Sequence, residues 1–391
     1  MTNPFEPPRR LLLGPGPSDA DPRVLRAIAA PLIGHLDPAF LALMDDMKRM
    51  LREVFRTENE LTFAVSGTGS AGMETCLVNL LEEGDEAVVM VNGEFGRRMT
   101  DIAERCRARA VPYDIPWGQA VEPQDVERAL ASARAPKLVA VVHAETSTGA
   151  WSPLQEIAEV VRRSGALLVV DTVTSLGGCP VEVDRWQIDA CYSGTQKCLS
   201  CPPGLAPVTF GPRAREVMRR RRSKVQSWYL DVSMIEKYWG AERVYHHTAP
   251  ISMSYALAEA LRVVLEEGLE ARFDRHRRNH LALAAGLEAL GFRYVVEPHR
   301  RLWMLNSVYL PPLATGQDEA RLRRRLLDEF SIEVGGGLGA FKGKIWRIGL
   351  MGESSRREKV LRLLSALDRM LPEAGHAVRP GSGVAAAEAC A

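Results

Sequence analysis

Short apolar runs alternate with amphipathic helical patterns between residues 61 and 171. The apolar runs have the length of buried strands and lie at 61–65, 86–91, 108–115, 137–145 and 166–171. Between them, apolar residues recur with helical spacing at 69–82, 94–106, 124–133 and 154–165. Strands that are separated by helices of this length form parallel βαβ units. The pattern therefore predicts an α/β fold with a mainly parallel central sheet flanked by helices.

The pattern differs at both ends of the chain. Residues 1–20 are rich in proline and glycine, which excludes a long helix and predicts an extended arm. After a long helical region at 255–290, short strands and further helices are typical of a smaller α+β domain. We therefore expect an arm at 1–20, a large domain at 21–255, a small C-terminal domain at 256–375 and a disordered tail at 376–391.

The composition is that of an ordinary water-soluble protein. Hydrophobic residues make up 46% of the 391 positions, and the net charge at pH 7 is +1, which gives no indication of nucleic-acid or membrane binding. No apolar run approaches the ~18 residues that a membrane-spanning helix needs. The seven cysteines are odd in number and scattered, as expected for free thiols in a reducing compartment. We expect a cytosolic protein.

Two residues in the segment 166–197 are candidates for chemistry. Asp171 stands at the carboxyl end of an apolar strand, and Lys197 follows the next short apolar run, 188–192. Ligands of open α/β sheets bind beyond the carboxyl ends of the strands, so both side chains are expected at one edge. Such a pair suits pyridoxal phosphate, in which a lysine binds the aldehyde and a carboxylate keeps the pyridine nitrogen protonated. On this segment alone, a solvated lysine and a helix-capping aspartate fit equally well.

A glycine motif, G-x-G-x-x-G, lies at residues 67–72. Gly67, Gly69 and Gly72 follow a predicted strand and open a helix, where free N–H groups and the helix dipole bind phosphate. Dinucleotide-binding enzymes use the same spacing, and Glu94 stands about where their acidic residue is expected. The motif therefore predicts a phosphate site without deciding between the two cofactors.

Other polar groups also follow the predicted strands. The segments 92–95, 145–149 and 171–172 should meet at the sheet edge that carries Gly69. Arg347 lies between apolar residues of a late strand, where it faces either solvent or a cleft in which its guanidinium would bind a carboxylate.

Two patterns raise the question of a metal. Cys198 and Cys201 form C-x-x-C, but no second Cys or His pair follows at the spacing of zinc ligands. His246 and His247 are adjacent and point in divergent directions, so a packed loop or an anion contact fits them better. We expect no metal site.

Eight segments resemble, in the same order, the motifs of class V aminotransferases, which are fold-type I enzymes that use pyridoxal phosphate. The resemblance extends over roughly residues 11–370 and is closest to the alanine–glyoxylate and serine–pyruvate or serine–glyoxylate branch. The segments are LLLGPGPS, SGTGSAGMET, VNGEFG, HAETSTGA, VVDTVTSLGG, DACYSGTQKCLSCPPGLAP, YHHTAPISMSY and WRIGLMG. An ordered series of this kind is more specific than any one motif.

The resemblance implies a role for each residue of the expected reaction centre. Lys197 matches the lysine that forms the Schiff base with the cofactor, and Asp171 matches the partner of the pyridine nitrogen. Arg347 matches the arginine that binds the substrate carboxylate. Gly16 matches a residue of the arm that closes over the substrate.

The other matches concern the ring and phosphate of the cofactor. Phe95 falls where an aromatic ring, often tryptophan, stacks on the cofactor, and Thr146 falls where a hydroxyl, often serine, lies near the ring oxygen. The matches to the phosphate-binding group are Thr68, Gly69, Ser70 and Gln196, of which Ser70 departs from the histidine of some animal enzymes. Tyr245 and Thr248 match residues that reach the phosphate of the neighbouring subunit, which implies a homodimer with shared active sites.

The implied function is transfer of the amino group of a small amino acid, alanine or serine, to glyoxylate or pyruvate. Ureidoglycine–glyoxylate and hydroxykynurenine transaminases resemble the same family, so the substrate pair stays open. A lyase or a desulfurase of this family is a further alternative, although the loop at 335–344 lacks the nucleophilic cysteine of a desulfurase. A nicotinamide-dependent oxidoreductase would leave Asp171 and Lys197 without a role. A non-catalytic binding protein would leave every candidate residue without one.

Overall fold

The computed structural model describes residues 6–314 and 318–390, and residues 1–5 of the expected arm and 391 of the expected tail lie outside this range. The described strands are β1 (Leu11–Leu12), β2 (Leu61–Ser66), β3 (Glu86–Val91), β4 (Arg109–Asp114), β5 (Pro136–Val142), β6 (Ala144–Glu145), β7 (Ala150–Trp151), β8 (Leu167–Asp171), β9 (Ala190–Tyr192), β10 (Leu205–Phe210), β11 (Arg293–Tyr294), β12 (Leu305–Tyr309), β13 (Ile332–Glu333), β14 (Gly335–Gly336) and β15 (Ile345–Gly349). The described α-helices are α1 (Pro22–Ile28), α2 (Pro38–Phe55), α3 (Gly69–Leu80), α4 (Glu94–Arg105), α5 (Pro123–Ser132), α6 (Leu154–Ser164), α7 (Pro212–Arg219), α8 (Val232–Trp239), α9 (Ile251–Glu267), α10 (Leu269–Ala289), α11 (Glu319–Phe330), α12 (Arg357–Glu373) and α13 (Ser382–Glu388).

A seven-stranded sheet forms the centre of the fold, in the order β2-β10-β9-β8-β5-β3-β4. Every neighbouring pair from β9 to β4 is parallel, and β10 alone runs antiparallel to both of its neighbours. The mainly parallel sheet is therefore present as predicted. The strands β3, β5 and β8 are buried almost throughout, because helices cover both faces of a parallel sheet.

Local signals in the sequence explain where the first helices begin. Asp21 and Asp37 each precede a proline at the first helical position, and each carboxylate accepts a backbone N–H two residues later. Aspartate as the N-cap satisfies an unpaired N–H group, and proline fits the first turn because its missing N–H has no partner there.

Two large hydrophobic clusters stabilise the chain. The first surrounds the central sheet and includes the buried residues of α2, α3 and α9. The second lies around the antiparallel sheet β11-β12-β15-β14 and includes residues of α10, α11 and α12. Leu11 and Leu13 of the arm belong to this second cluster, and β1 pairs in parallel with β13. The arm is therefore bound to the C-terminal part of the chain.

The single helical region expected at 255–290 is two helices. Gly268, with φ of +81°, separates α9 from α10, and glycine adopts this left-handed conformation without strain. The buried residues of α9, as far as Val264, belong to the first cluster, whereas those of α10 from Ala282 belong to the second. We therefore propose that the large and small domains meet at Gly268 rather than at the predicted residue 255.

The tail differs from its expected disorder. Residues Ser382–Glu388 form α13, which packs on α10 and α12. A Cβ placed on Gly383 would lie 2.8 Å from Leu290, and a Cβ on Gly286 would lie 2.8 Å from the Gly383 carbonyl oxygen. The small residues that resemble a disordered composition instead allow close packing between helices.

Candidate active site

Asp171 ends β8 and is buried at the carboxyl edge of the central sheet, with 3% of its surface exposed. One carboxylate oxygen accepts the N–H of Val173 at 2.8 Å, and the other accepts the hydroxyl of Tyr192 at 2.9 Å. Burial raises the pKa of Asp171 to about 6, although both hydrogen bonds and the nearby charges of Lys197 and Arg98 act in the opposite direction. Near neutral pH the side chain is therefore a buried carboxylate that can pair with a cation.

Lys197 lies in the loop after β9 and is also buried, with 8% of its surface exposed. A hydrogen bond from the Thr195 hydroxyl to the Pro202 carbonyl, 2.8 Å long, closes this loop. Burial, followed by the charge of Arg347, lowers the pKa of Lys197 to about 8. An appreciable fraction of the amine is therefore unprotonated and nucleophilic at mildly alkaline pH.

The arm covers this lysine. Lys197 Nζ donates to the Pro15 carbonyl, and the Ser18 hydroxyl donates to the Lys197 carbonyl at 2.7 Å. Gly16 has φ of +119°, and a Cβ there would lie 2.7 Å from Lys197 Nζ. Only glycine therefore fits at position 16, where the sequence predicted that the arm closes over the site.

The predicted phosphate-binding residues lie at the N-terminus of α3 and in the loop before Lys197. Thr68 is the N-cap of α3, and its side chain makes no capping hydrogen bond. A Cβ on Gly69 would lie 3.4 Å from Gly194, so the two loops approach through glycines. Gln196 Oε1 is buried without a hydrogen-bond partner among the described residues. A buried polar atom without a partner costs about 1–3 kcal/mol, which indicates that a polar ligand completes this side-chain environment.

Phe95 stands in the first turn of α4 and is half-buried. Its N–H donates to Glu145 Oε2 at 3.3 Å. The guanidinium carbon of Arg98 lies 5.0 Å from the centre of the Phe95 ring, and Arg98 Nη1 donates to Ser70 Oγ at 3.0 Å. Arg98 therefore joins the residue predicted to stack on the cofactor ring to one predicted to bind its phosphate.

A buried turn at residues 145–149 faces the same edge. The Glu145 carboxylate accepts the Ser147 N–H at 2.9 Å and the Ser147 hydroxyl at 2.6 Å. Burial raises the pKa of Glu145 to about 7, against the effect of these hydrogen bonds. Thr146 lies between them and is buried as well.

Arg347 reaches this turn from β15 and is buried. Its Nε donates to the Gly336 carbonyl at 2.7 Å, and its Nη1 donates to the Thr146 carbonyl at 3.1 Å. Burial lowers the pKa of Arg347 to about 10, and the nearby Glu145 counteracts this effect. The guanidinium therefore stays charged at neutral pH and is held beside Thr146 rather than in solvent.

The structure brings ten of the twelve predicted site residues to one edge of the sheet. These are Gly16, Thr68, Gly69, Ser70, Phe95, Thr146, Asp171, Gln196, Lys197 and Arg347. Tyr245 and Thr248 are different, because both are exposed in the single chain and Tyr245 packs on His35 with 5.3 Å between ring centres.

Sequence reasoning missed three residues that contact this group. Tyr192, Arg98 and Ser18 bond to Asp171, Ser70 and the backbone of Lys197, respectively. The sequence could have indicated that Tyr192 lies near Asp171, since the two residues end adjacent predicted strands. It could also have indicated that Arg98 lies beside Phe95, because the two are one helical turn apart.

The two patterns that raised the question of a metal are accounted for by contacts within the chain. Cys198 and Cys201 are buried free thiols, and the ring nitrogens of His246 and His247 bond to each other at 2.7 Å. Within residues 6–314 and 318–390, no three His, Cys, Asp or Glu side chains form a group that could hold a metal ion. Over the same residues, no helix is long and apolar enough to cross a membrane.

A separate cavity of about 690 Å³ lies at the opposite edge of the sheet. It is lined by residues that include Asp189, Phe210 and Arg213. Arg213 pairs with the buried Asp189 at 3.2 Å, so this pair satisfies its own charges. The cavity is therefore distinct from the candidate active site.

The chain belongs to the class V aminotransferase family, whose model, Aminotransferase class-V, matches residues 15–338. The protein is accordingly a pyridoxal phosphate-dependent aminotransferase with the mainly parallel fold of that group. It is 41% identical to the ureidoglycine–glyoxylate aminotransferase of Bacillus subtilis, whose crystal structure superimposes with a TM-score of 0.96 and 99% of both chains covered. It is 50% identical to the alanine–glyoxylate aminotransferase of Nostoc sp., with a TM-score of 0.91 and 95% and 97% of the two chains covered. The alanine–glyoxylate aminotransferase of Rattus norvegicus is 40% identical over 95% of this chain and 90% of its own.

The residues at the sheet edge fit pyridoxal phosphate. A lysine with a lowered pKa can react with the aldehyde, a buried carboxylate can pair with the ring nitrogen, and the free N–H groups at the N-terminus of α3 can donate to the phosphate. The alternative of a nicotinamide cofactor is not supported, since the family match extends over the glycine motif itself.

Proposed function

We propose that this aminotransferase transfers the amino group of a small amino acid, alanine or serine, to glyoxylate or pyruvate. The observation that carries the proposal is the burial of Lys197 and Asp171 at one sheet edge, with Arg347 held beside them. Two of the relatives described above are named for alanine and glyoxylate, which supports small substrates.

When bound, pyridoxal phosphate supplies an aldehyde that takes up an amino group and a cationic ring that withdraws electrons from the reacting carbon. Lys197 would hold the cofactor through Nζ, and its amine would accept the proton of the substrate Cα as a base and donate a proton as an acid. The lowered pKa suits this role, because the amine must act as base and acid near the working pH. Asp171 would hold the ring nitrogen in its protonated form.

The remaining residues position the cofactor. Thr68, Gly69, Ser70 and Gln196 would bind the phosphate at the N-terminus of α3. Phe95 would stack on the ring, and Thr146 would lie near the ring oxygen. Phenylalanine offers a smaller stacking surface than tryptophan, and its contact with Arg98 helps to fix its position.

Arg347 would bind the carboxylate of the amino acid and then that of the keto acid. Backbone carbonyls occupy two of its five N–H groups and fix the plane of the guanidinium. A fixed guanidinium recognises a carboxylate with little loss of side-chain entropy. This geometry predicts that esters or amides of the substrates react poorly.

A second amino donor, ureidoglycine, has a specific observation in its favour. The Bacillus subtilis enzyme superimposes over 99% of both chains. The Nostoc enzyme has the higher sequence identity, so overall similarity does not separate the two donors.

The substrate is decided by a half-reaction screen of the purified holoenzyme. Alanine, serine, glycine and ureidoglycine are mixed in turn with the enzyme, and conversion of the bound cofactor to its amine form is followed by absorbance. We expect conversion with alanine or serine and regeneration by glyoxylate or pyruvate. Conversion by ureidoglycine alone would replace the proposed donor, and a Lys197→Ala protein that turned over normally would contradict the proposed lysine.

We also propose a homodimer in which Tyr245 and Thr248 reach the phosphate of the partner subunit. Two aromatic side chains at this loop are unusually exposed in the single chain: Tyr245 by 57%, and Trp228, which stacks on His246 with 4.5 Å between ring centres, by 62%. Large exposed apolar side chains near one another are typical of protein interfaces. A second copy of the chain would cover them.

Mixed dimers test the sharing of sites. One subunit carries Lys197→Ala, and the other carries Tyr245→Phe together with Thr248→Ala. Each variant alone should be impaired, but subunit exchange should restore roughly a quarter of wild-type activity, since half the dimers are mixed and each has one intact site. No recovery, with exchange verified by mass, would show that each site is built from a single chain.

We propose the cytosol as the compartment. All seven cysteines are free thiols, and six of them are buried. This usage suits a reducing environment.

A further inference from the structure

The proposed phosphate site contains no charged side chain of its own. Thr68, Gly69, Ser70 and Gln196 offer only neutral hydrogen-bond groups. A phosphate ester carries a charge of about −1.5 to −2 at neutral pH, and the N-terminus of a helix supplies only about +0.5. A positively charged side chain beside these four residues would neutralise the rest of the phosphate charge.

Arg98 occupies that place. Its Nη1 donates to Ser70 Oγ at 3.0 Å, so the serine oxygen acts as acceptor and the serine proton stays free to donate to a phosphate oxygen. Its guanidinium also lies over the Phe95 ring, 5.0 Å from the ring centre. The charge of Arg98 extends to the interior of the site, since it lowers the pKa of Asp171.

We propose that Arg98 is the charged positioning residue of the phosphate site and that it acts through Ser70. In this arrangement Arg98 orients the Ser70 hydroxyl and supplies positive charge next to the phosphate. The inference rests on the proposed placement of the cofactor phosphate at the N-terminus of α3.

The neighbouring arginine provides a matched comparison. Arg97 stands on the same helix and is also exposed, but its guanidinium lies over Trp117, with 5.2 Å to the ring centre. The two positions have the same charge and a similar aromatic contact, yet only Arg98 bonds to the phosphate-binding turn. A difference between the two substitutions therefore reports the contact with Ser70 rather than the net charge of the protein.

The test compares affinity for pyridoxal phosphate with affinity for pyridoxal, which has the same ring and aldehyde but no phosphate. The full chain is purified with its cofactor and freed of it by dialysis, and both dissociation constants are measured for the wild type, Arg98→Gln, Arg98→Lys and Arg97→Gln. We expect Arg98→Gln to weaken binding of pyridoxal phosphate by ~10-fold, the size of one charged hydrogen bond, and to leave pyridoxal binding unchanged. Arg98→Lys should recover part of the loss, and Arg97→Gln should change neither constant. The loss should shrink at high salt, because exposed charges are screened.

Each other outcome has a distinct meaning. Equal losses for pyridoxal phosphate and pyridoxal would overturn the inference and assign Arg98 only to the placement of Phe95. Equal losses in the two glutamine variants would also overturn it, because bulk charge would then explain the effect. If Arg98→Gln behaves as wild type while Lys197→Ala loses the cofactor, the inference fails and the proposed function stands. If the wild type binds both compounds equally well, the proposed phosphate site itself is wrong.

Discussion

Replacing Tyr192 by phenylalanine should raise the pKa of Asp171 and shift the pH range in which the cofactor binds. The Tyr192 hydroxyl donates to a carboxylate oxygen of Asp171 at 2.9 Å, and both groups are buried. A hydrogen bond to a charged group contributes about 1.5–3 kcal/mol, and 1.36 kcal/mol corresponds to one pKa unit, so the shift should be ~1–2 units. Phenylalanine keeps the ring, so the substitution removes the hydroxyl and preserves the packing around it.

The direction of the effect follows from the charge of the group. The hydroxyl stabilises the carboxylate form, so its removal raises the pKa of Asp171 from its wild-type value of about 6. Pairing with the protonated ring nitrogen requires the carboxylate, and binding of pyridoxal phosphate should therefore weaken below pH about 6 in the wild type. In the Tyr192→Phe variant the same loss should begin ~1–2 pH units higher.

The assay is titration of the cofactor-free chain with pyridoxal phosphate between pH 5 and 9. Tyr294→Phe is the matched control, because the buried Tyr294 hydroxyl donates at 2.8 Å to the neutral Asn306 side chain in the other hydrophobic cluster. It should cost ~1 kcal/mol of stability without moving the binding profile. An unchanged midpoint in Tyr192→Phe, or equal shifts in both variants, would refute the reasoning.

Unfolding provides a second measurement of the same shift. When the pKa of a carboxyl group is higher in the folded than in the unfolded protein, the free energy of unfolding falls as the pH rises from the unfolded to the folded pKa. In Tyr192→Phe this window extends upward, so the variant should be destabilised more at pH 8 than at pH 5. Denaturant titration at the two pH values reports the difference.

Two further substitutions test how the lysine is held. Arg272→Ala should lower the free energy of unfolding by ~2–6 kcal/mol, because this buried guanidinium donates to the carbonyls of Gly177 and Cys198 beside Lys197, and each carbonyl would lose that donor at a cost of about 1–3 kcal/mol. The carboxylate of Glu267, which also pairs with Arg272, keeps its ion pair with Arg275. The exposed Arg277→Ala on the same helix should change the free energy of unfolding little, and equal effects in a denaturant titration would count against the assignment. Gly16→Ala should abolish most turnover, because its Cβ would lie 2.7 Å from Lys197 Nζ. Gly165→Ala is the control: Gly165 also has a positive φ, of +81°, but open space surrounds it, so this substitution adds backbone strain without a collision. The Gly165→Ala variant should keep its activity in the same turnover assay.

The sequence predicted most of the fold because buried parallel strands are continuous apolar runs bounded by polar residues. The residues that end such runs face one edge by topology alone, so Asp171 could be placed without side-chain contacts. The same argument places Tyr192 near Asp171, but it does not predict the hydrogen bond between them, because an aromatic residue in a strand indicates packing and says nothing about its hydroxyl. The bond from Lys197 to the Pro15 carbonyl spans 182 positions, and no local pattern encodes such a pairing.

The tail shows the opposite limitation. Small residues have low hydrophobicity, so composition indicates disorder, but the same small size allows Gly286 and Gly383 to bring helices close together. Whether such a segment packs depends on the surface that it meets. That surface, on α10 and α12, is assembled only in the folded protein.

The pairing of β1 with β13 has a consequence for how the newly made chain matures. Arg10 bonds to the Leu327 carbonyl 317 positions later in the chain, so it is synthesised well before its partner. The arm can dock only after that distant region has been synthesised, and contacts of such separation form late because the intervening loop must close first. The central sheet with its lysine can therefore assemble while the amine is still uncovered. Pulse-labelled hydrogen exchange during refolding should show the amides of Leu11, Leu13 and Ser18, which donate to backbone carbonyls of distant segments, becoming protected last. Closing of the active site would then be the final step of maturation.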